Sequence, residues 1–380
     1  MAIIYKGRGA PEMYDDLMDF MNYVFGFNGD DRDFKKLLPK LYKPEYDPCH
    51  SNYVVTEDGK LKAAVGVYDS TLNVGGTLLK SRGVGNVAVH PYSRSKGYMI
   101  DCMNLALRDM IADGIDFSIL GGQRQRYGYF GYDHAGQQVE ISIGNRNLRH
   151  CFRNVPFVEY ELRELGEGDG ELIGKAYELQ RTRPMRTERA RAAFLDICRS
   201  WRSSLSAVLK DGEFRGYFVG DLKELTLLDP GAFNDVVRNY VKQRGDVNLH
   251  IPTWDAAQIA AAAKIGGGLS LAACEMFNIL RFRRVTEACL NFKAAREELC
   301  GGELSLLVHG YAGDESFRLA VRENEVAVEP CAPEAADLEL SHMEAMALLF
   351  GLWSDRRRAL SPAVRSWFPL PLHVESADHV

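Results

Sequence analysis

Apolar residues follow helical and strand spacing in turn along residues 1–150. Residues 11–25 place apolar side chains on one helical face with acids between them, which predicts an amphipathic helix begun by Pro11. Residues 52–56 and 61–68 flank a tight-turn sequence, Glu57-Asp58-Gly59-Lys60, and predict a β-hairpin. We therefore predict two helices, a meander of strands, and then alternating helices and strands.

A strand, a loop and a helix follow one another after this meander. The β-biased run at 84–89 must end by Pro91, because proline has no N–H to give to a sheet. Helical apolar spacing begins at Met99 and stops before Gly114, which suits a left-handed C-terminal cap. An apolar strand is predicted next, at 117–120.

The loop before this helix combines Arg94, Lys96 and Gly97. Unpaired N–H groups at a helix start and the helix dipole favour anions, and glycine lets the backbone approach a ligand closely. The two cations add positive charge. The loop predicts a phosphate site, although an ordinary basic turn before a surface helix would show the same residues.

The predicted elements recur in the same order from about residue 172, which indicates an internal repeat of topology. The predicted elements are helices at 171–180 and 188–201, strands at 204–209, 214–219 and 225–228, a helix at 232–242, a strand at 247–251 and a helix at 254–265. The loop of this second copy has Asp229 and no Arg or Lys at 231–235. An acidic residue there would repel a pyrophosphate, so we do not expect this copy to bind coenzyme A.

The C-terminal part changes pattern again. The predicted elements are strands at 304–308, 317–321 and 325–329, followed by helices at 342–349 and 355–367. With 380 residues the chain has room for two or three domains.

Composition excludes several classes of protein. No apolar run approaches the ~20 residues that a membrane helix needs, and the N-terminus lacks the apolar core of a secretory signal, so we expect a cytoplasmic protein with no membrane partner. The net charge of −6 argues against nucleic acid. Eight cysteines without a C-x-x-C pair and nine histidines without an H-x-x-x-H pair predict reduced thiols and no metal.

The order V-x-V-x-P, x-x-R-x-x-G, long helix, strand and Y-G-x-F-G-Y resembles the GNAT superfamily of N-acetyltransferases. Within that superfamily, the run RYGYFGYD is similar to the enhanced-intracellular-survival (Eis) branch. The pattern D-L-x-L-S before a helix resembles the sterol-carrier-protein fold that closes Eis-type chains.

The resemblance implies a mixed α/β (α+β) chain with two tandem GNAT-like domains and a sterol-carrier-protein-like domain. It places a catalytic domain at 1–155, a degenerate second copy at 156–283 and the C-terminal domain at 284–380. It also implies a homo-oligomer.

The implied activity is transfer of an acetyl group from acetyl-CoA to a primary amine by direct attack. In this reading the backbone of Val87, Ala88 and Val89 pairs with the pantetheine arm. The pyrophosphate lies on N–H groups of the loop, which comprises Arg94, Ser95, Lys96, Gly97, Tyr98 and Met99. Met99 occupies a position where the family pattern has a small residue.

Tyr127 aligns with the tyrosine that serves GNAT enzymes as general acid. A phenol with a pKa of about 10 stays protonated at neutral pH and can protonate a thiolate whose conjugate acid has a pKa of about 8.5. Tyr129 and Tyr132 are alternatives. The resemblance implicates the C-terminal carboxylate of Val380 as base, with Asp378 and His379 as alternatives.

Asp30 and Asp31 lie in a loop that borders the acceptor pocket in the family and are candidates to attract an ammonium group, though such a pair is more often a solvated turn. The sequence does not choose between polyamine-like, aminoglycoside-like and lysine acceptors, and it does not fix the length of the acyl chain. An alternative function is a non-catalytic module that binds acyl-CoA or lipid, or that serves assembly.

Overall fold

A long antiparallel hairpin forms the middle of the N-terminal sheet in the computed structural model, which describes residues 3–27 and 33–380. The strands of this region are β1 (Ile4–Arg8), β2 (Asn52–Glu57), β3 (Lys60–Val74), β4 (Thr77–Val89), β5 (Phe117–Leu120), β6 (Asp133–Ala135) and β7 (Gln138–Ile143). Its helices are α1 (Tyr14–Gly26), α2 (Phe34–Leu37), α3 (Pro39–Tyr42), α4 (Tyr98–Ala112), α5 (Arg124–Tyr127) and α6 (Asn145–Cys151). The predicted hairpin and the strands at 84–89 and 117–120 are confirmed.

Local sequence explains why α4 begins and ends where it does. Gly97 caps its start with a left-handed φ of 79°, and Gly114 follows its end with a φ of 66°. Between them Met103, Leu107 and Met110 are fully buried on the face that packs against the sheet. The predicted helix is therefore confirmed in both its position and its buried face.

The second region repeats the alternation of helices and strands. Its strands are β8 (Glu161–Glu164), β9 (Met185–Thr187), β10 (Leu205–Lys210), β11 (Glu213–Val219), β12 (Glu224–Leu227), β13 (Val247–Pro252), β14 (Gly268–Ala272) and β15 (Glu275–Ile279). Its helices are α7 (Gly170–Gln180), α8 (Phe194–Arg199), α9 (Phe233–Arg244) and α10 (Ala256–Ala263). The prediction of one helix over 188–201 is wrong, because β9 pairs with the far end of β3 and holds the chain extended into that segment.

The C-terminal region forms a four-stranded sheet in the order β18-β17-β16-β19. Its elements are α11 (Phe282–Ala294), β16 (Gly302–Gly310), β17 (Gly313–Arg322), β18 (Glu325–Pro330), β19 (Leu338–Ser341), α12 (His342–Leu349) and α13 (Pro362–Arg365). The helix predicted at 355–367 is wrong. A 3-10 turn ends at Ala359, and Pro362 starts a separate short helix, since proline cannot donate within a helix.

The first two regions exchange one strand each. β15 lies between β5 and β6 in the N-terminal sheet, and β7 lies between β13 and β14 in the second region. The exchanged β15 buries Phe277 and Ile279 completely. Neither β14 nor β15 was predicted from the sequence, and the exchange crosses the predicted boundary at residue 155. Hydrogen bonds within both sheets therefore connect the two regions.

The last residues of the chain are held by buried ion pairs. The guanidinium of Arg189 lies 2.8 and 2.9 Å from the carboxylate oxygens of Asp378, and 2.6 and 3.1 Å from those of Glu224. None of these three side chains is more than 6% exposed. Since Glu224 begins β12, the pairs fasten the C-terminal segment to the second region.

A second buried pair joins Arg183 to Glu375 in the same segment. Burial opposes ionisation of Glu375, but Arg183, His373 and Arg189 together outweigh it and lower the pKa of that carboxyl to about 2. Glu375 is therefore ionised at neutral pH. We call residues 373–380 the C-terminal tail.

Replacing Arg189 with methionine is predicted to lower the free energy of unfolding by about 3–5 kcal/mol, because the buried carboxylates of Asp378 and Glu224 would lose the guanidinium that both of them contact. Chemical denaturation followed by circular dichroism measures the change. As a control, Lys175→Met removes an exposed pair with Glu171 on α7, which we expect to contribute little to the free energy of unfolding. Equal losses in the two variants would contradict this role of Arg189.

Candidate functional site

A cleft opens where β4 and β5 separate. The two strands pair in parallel from Ser81 opposite Phe117 to Val84 opposite Leu120, where β5 ends. β4 continues to Val89 with β3 as its neighbour on the other side. Within the described residues, no strand pairs with the opposite edge of β4 beyond Val84, so backbone groups there remain available to a ligand.

A β-bulge shapes this part of β4. The register shifts between Gly85 opposite Gly66 and Ala88 opposite Ala64, and Asn86 has a left-handed φ of 41°. The Asn86 side chain holds the bulge: its Oδ1 accepts from the hydroxyls of Tyr42 at 2.9 Å and Tyr68 at 3.1 Å. Hydrogen bonding thus fixes the strand at the point where the cleft begins.

The cleft has a volume of about 670 Å³ and brings together most of the residues predicted to hold a coenzyme. It is lined by Val24, Phe25, Val87, Val89, residues 93–100 and Arg126. Ala88 is buried on the opposite face, as the alternation of side chains along a strand requires, so only its backbone faces the strand edge.

The loop from Arg94 to Ile100 leaves its backbone donors unused. None of its N–H groups donates to another described residue, and the first intrahelical bond of α4 runs from Asp101 N to Gly97 O at 3.0 Å. Ser95 and Gly97 both have left-handed φ values, 66° and 79°. The result is a run of free N–H groups at a helix N-terminus, which is an anion-binding arrangement.

The two predicted phosphate-binding cations differ in their surroundings. Arg94 is exposed and has no hydrogen bond or ion pair in the described part of the chain. Lys96 pairs with Glu57 at 2.9 Å, and the Tyr98 hydroxyl bonds to the same carboxylate. An exposed pair of this kind contributes little, so Lys96 can exchange Glu57 for another anion. Met99, in the first turn of α4, is half-buried and packs against the core.

The three predicted tyrosines occupy different environments. Tyr127 ends α5 and is buried. Burial raises the pKa of its phenol, while the neighbouring Arg126 guanidinium opposes the rise. Tyr129 is 86% exposed. Tyr132 is fully buried with its hydroxyl 2.7 Å from Ser118 Oγ. Of the three, Tyr127 alone is both buried and adjacent to a residue that lines the cleft.

The chain end lies against β4. The side chain of Val380 packs over Gly83, and its carboxyl carbon lies so close to Gly85 that a Cβ on that glycine would come within 2.8 Å of it. The sequence reasoning missed these two glycines as functional residues. Their spacing inside a strand was the available signal, because glycine in a strand often marks a close approach.

Two donors fix the backbone of the C-terminal tail. Lys40 Nζ lies 2.6 Å from the carbonyls of both Ala377 and His379, and Trp201 Nε1 donates to His379 O at 2.9 Å. Burial lowers the pKa of Lys40 to about 8, although the charge of Asp378 opposes the shift. Together with Arg189, these groups hold Val380 at β4.

The alternative bases already have partners. Asp378 is bound by Arg189, and His379 pairs through Nδ1 with Glu275 at 3.1 Å. Asp30 and Asp31, the predicted acceptor-binding residues, lie outside the described residues. Among residues 3–27 and 33–380 no three His, Cys, Asp or Glu side chains converge as metal ligands, and no helix could cross a membrane.

Residues 8–135 match the family described as "Acetyltransferase (GNAT) domain". No curated protein sequence matches the chain. Among crystal structures, an Enterococcus faecalis V583 protein described as a "Probable N-Acyltransferase" aligns over 100% of both chains, with 16% identity and a TM-score of 0.69.

Two further structures share the fold. A GCN5-related N-acetyltransferase from Anabaena variabilis aligns over 95% of this chain and 93% of its own, with 16% identity and a TM-score of 0.65. Eis1 from Mycobacterium abscessus aligns over 100% of both chains, with 13% identity and a TM-score of 0.60. The mixed α/β fold and the enzyme class predicted from the sequence are confirmed, and residues 8–135 are similar to the acetyltransferase domain of the GNAT family.

Proposed function

We propose that the protein transfers an acetyl group from acetyl-CoA to a primary amine by direct attack of the amine on the thioester. The observation that carries the proposal is the meeting of two features in one cleft. Among the residues that the structure describes, the loop from Arg94 to Ile100 presents unused N–H groups, and β4 presents an unpaired edge up to Val89. Phosphates suit the first and the amides of a pantetheine arm suit the second.

The residues that would hold the coenzyme follow from this geometry. The backbone at Val87 and Val89 would pair with the pantetheine arm, and the N–H groups from Ser95 to Met99 would receive the pyrophosphate. Arg94 adds a guanidinium that has no other partner among the described residues. The coenzyme supplies an activated acetyl group, and the protein supplies position and protons.

Tyr127 is the proposed general acid. Its burial keeps the phenol protonated at neutral pH, as a donor to a leaving thiolate must be. The exposure of Tyr129 and the bond between Tyr132 and Ser118 favour Tyr127 over these alternatives.

The carboxylate of Val380 is the proposed base. Its position beside Gly85 supports this role, as does the engagement of Asp378 by Arg189 and of His379 by Glu275. An α-carboxylate has a pKa of about 3.5 in water and is a weak base there. Partial burial against β4 or a relay through one water would suit it to accept a proton from an ammonium.

The predicted sterol-carrier-protein-like character of 284–380, the cytoplasmic location and the homo-oligomer remain proposals that rest on the resemblance to Eis-type chains. One feature is compatible with self-association. β14 is an edge strand that exposes Leu269 and Leu271.

Calorimetric titration with acetyl-CoA tests the binding half of the proposal. We expect one site per chain in the wild type and loss of binding in the variant Arg94→Glu/Lys96→Glu, because two carboxylates would face the pyrophosphate. Arg108→Glu, an exposed change on α4 away from the cleft, is the matched control and should bind normally. Absence of binding to the wild type would overturn the proposed function.

Tyr127→Phe tests the catalytic half. The variant is expected to lower kcat by about 10²-fold or more, because a general acid contributes that much, while acetyl-CoA affinity stays unchanged. Steady-state kinetics with a saturating amine measures kcat, and Tyr129→Phe serves as the control for loss of an exposed hydroxyl. An unchanged kcat in Tyr127→Phe would exclude Tyr127 as the acid.

A further inference from the structure

Val380, the proposed base, lines a second cavity of about 620 Å³. Glu275 and His379 form its wall beside Val380. Gly121 of the first region and Ser376 and Ala377 of the tail also line it. The remaining residues come from the second region and include Trp201, Arg202, Lys223 and Arg244. The region that lacks a phosphate loop of its own therefore contributes to a cavity at the proposed base.

Three cations around this cavity lack acidic partners. Arg202 and Lys223 are exposed and have no side-chain hydrogen bond or ion pair in the described part of the chain. Arg244 lies over the rings of Phe218 and Tyr240, 5.3 and 5.6 Å from their centroids, without a carboxylate partner among those residues. The chain has more acids than bases, 52 to 46. Three cations at one cavity without a carboxylate partner among the described residues therefore require an explanation.

The acids in the same cavity are already engaged. The Tyr240 hydroxyl donates to Asp221 at 2.7 Å, and Glu275 pairs with His379 at 3.1 Å. These carboxylates are thus less available to the three cations or to an ammonium ligand. Arg202, Lys223 and Arg244 thus line a cavity that Val380 lines as well.

Two consecutive residues of the cavity wall have a strained backbone conformation. Trp201 and Arg202 are consecutive non-glycine residues with left-handed φ values of 61° and 57°. L-residues rarely adopt this conformation, and where they do the surrounding structure must hold them. Here Trp201 is held by its bond to His379 O, which ties the position of Arg202 to the C-terminal tail.

We propose that this cavity binds the anionic group of an acceptor that carries both a primary amine and a carboxylate or phosphate. The inference rests on the proposed function, since it names the class of amine that the site accepts. Guanidinium groups bind carboxylates and phosphates through paired hydrogen bonds, and Lys223 adds a point charge. The acceptor's amine would then face Val380, while a purely cationic amine would be repelled by Arg202 and Lys223.

Matched acceptors that differ only in the anionic group test the proposal. Tyrosine against tyramine tests the carboxylate, and phosphoethanolamine against ethanolamine tests the phosphate. We expect wild-type kcat/KM to favour the anionic member of one pair by about tenfold to a hundredfold, which corresponds to one charge-assisted hydrogen bond. The pair that shows this preference identifies the anion.

Variants locate the preference in the cavity. Arg202→Gln and Lys223→Gln should raise KM for the anionic acceptor and leave kcat nearly unchanged. They should not raise KM for tyramine or ethanolamine, whose ammonium group these cations would repel. Arg215→Gln removes an exposed cation from β11 outside the cavity and should change neither. Preference of the wild type for tyramine, ethanolamine or spermidine, or an equal rise of KM for both members of a pair in the variants, would overturn the inference.

A binding measurement separates this inference from the proposed function. Calorimetry with tyrosine or phosphoethanolamine, in the presence of coenzyme A, should show saturable binding that Arg202→Gln/Lys223→Gln abolishes. Such binding without acetylation of any amine would refute the acetyl-transfer proposal and leave the anion site standing. Acetylation of tyramine or ethanolamine without anion binding would refute the anion site alone.

Discussion

The buried contact of Arg189 with Asp378 and Glu224 is the constraint on which the site depends. A guanidinium without exposed surface must be neutralised, and its two carboxylates come from a strand of the second region and from the C-terminal tail. The end of the chain is thereby fixed to the middle of the molecule. Lys40 and Trp201 then set the backbone of the last residues, so that Val380 lies on β4.

Strand exchange gives this arrangement its rigidity. Because β7 and β15 each complete a sheet of the other region, the first two regions cannot move independently without breaking sheet hydrogen bonds. The cleft at β4, the tail and the cavity of Arg202 and Lys223 are consequently parts of one framework. This accounts for how a second region with Asp229 in place of a basic phosphate loop can still shape the surroundings of the candidate site.

Sequence reasoning succeeded where the signals are local. Pro91 follows the end of β4, and Gly97 and Gly114 bound α4 through their own backbone limits. The helix predicted at 342–349 is confirmed as α12, whose start at Ser341 carries a capping box. It failed where pairing is distant, as in β9 and β15, whose partners lie far along the chain. At the site, the loop from Arg94 to Met99 was predicted as a unit, whereas the Lys96 pair with Glu57, the close approach at Gly85 and the Arg189 contacts needed the fold.

The most direct test of the central claim, that the tail delivers a carboxylate to β4, is the acetyl-transfer rate of a protein with one glycine appended after Val380. The addition moves the terminal carboxylate by about 3.5 Å and leaves every buried ion pair of the tail intact. We predict that kcat falls by about 10²-fold while acetyl-CoA affinity is unchanged. An unchanged kcat would contradict a role for the carboxylate of Val380.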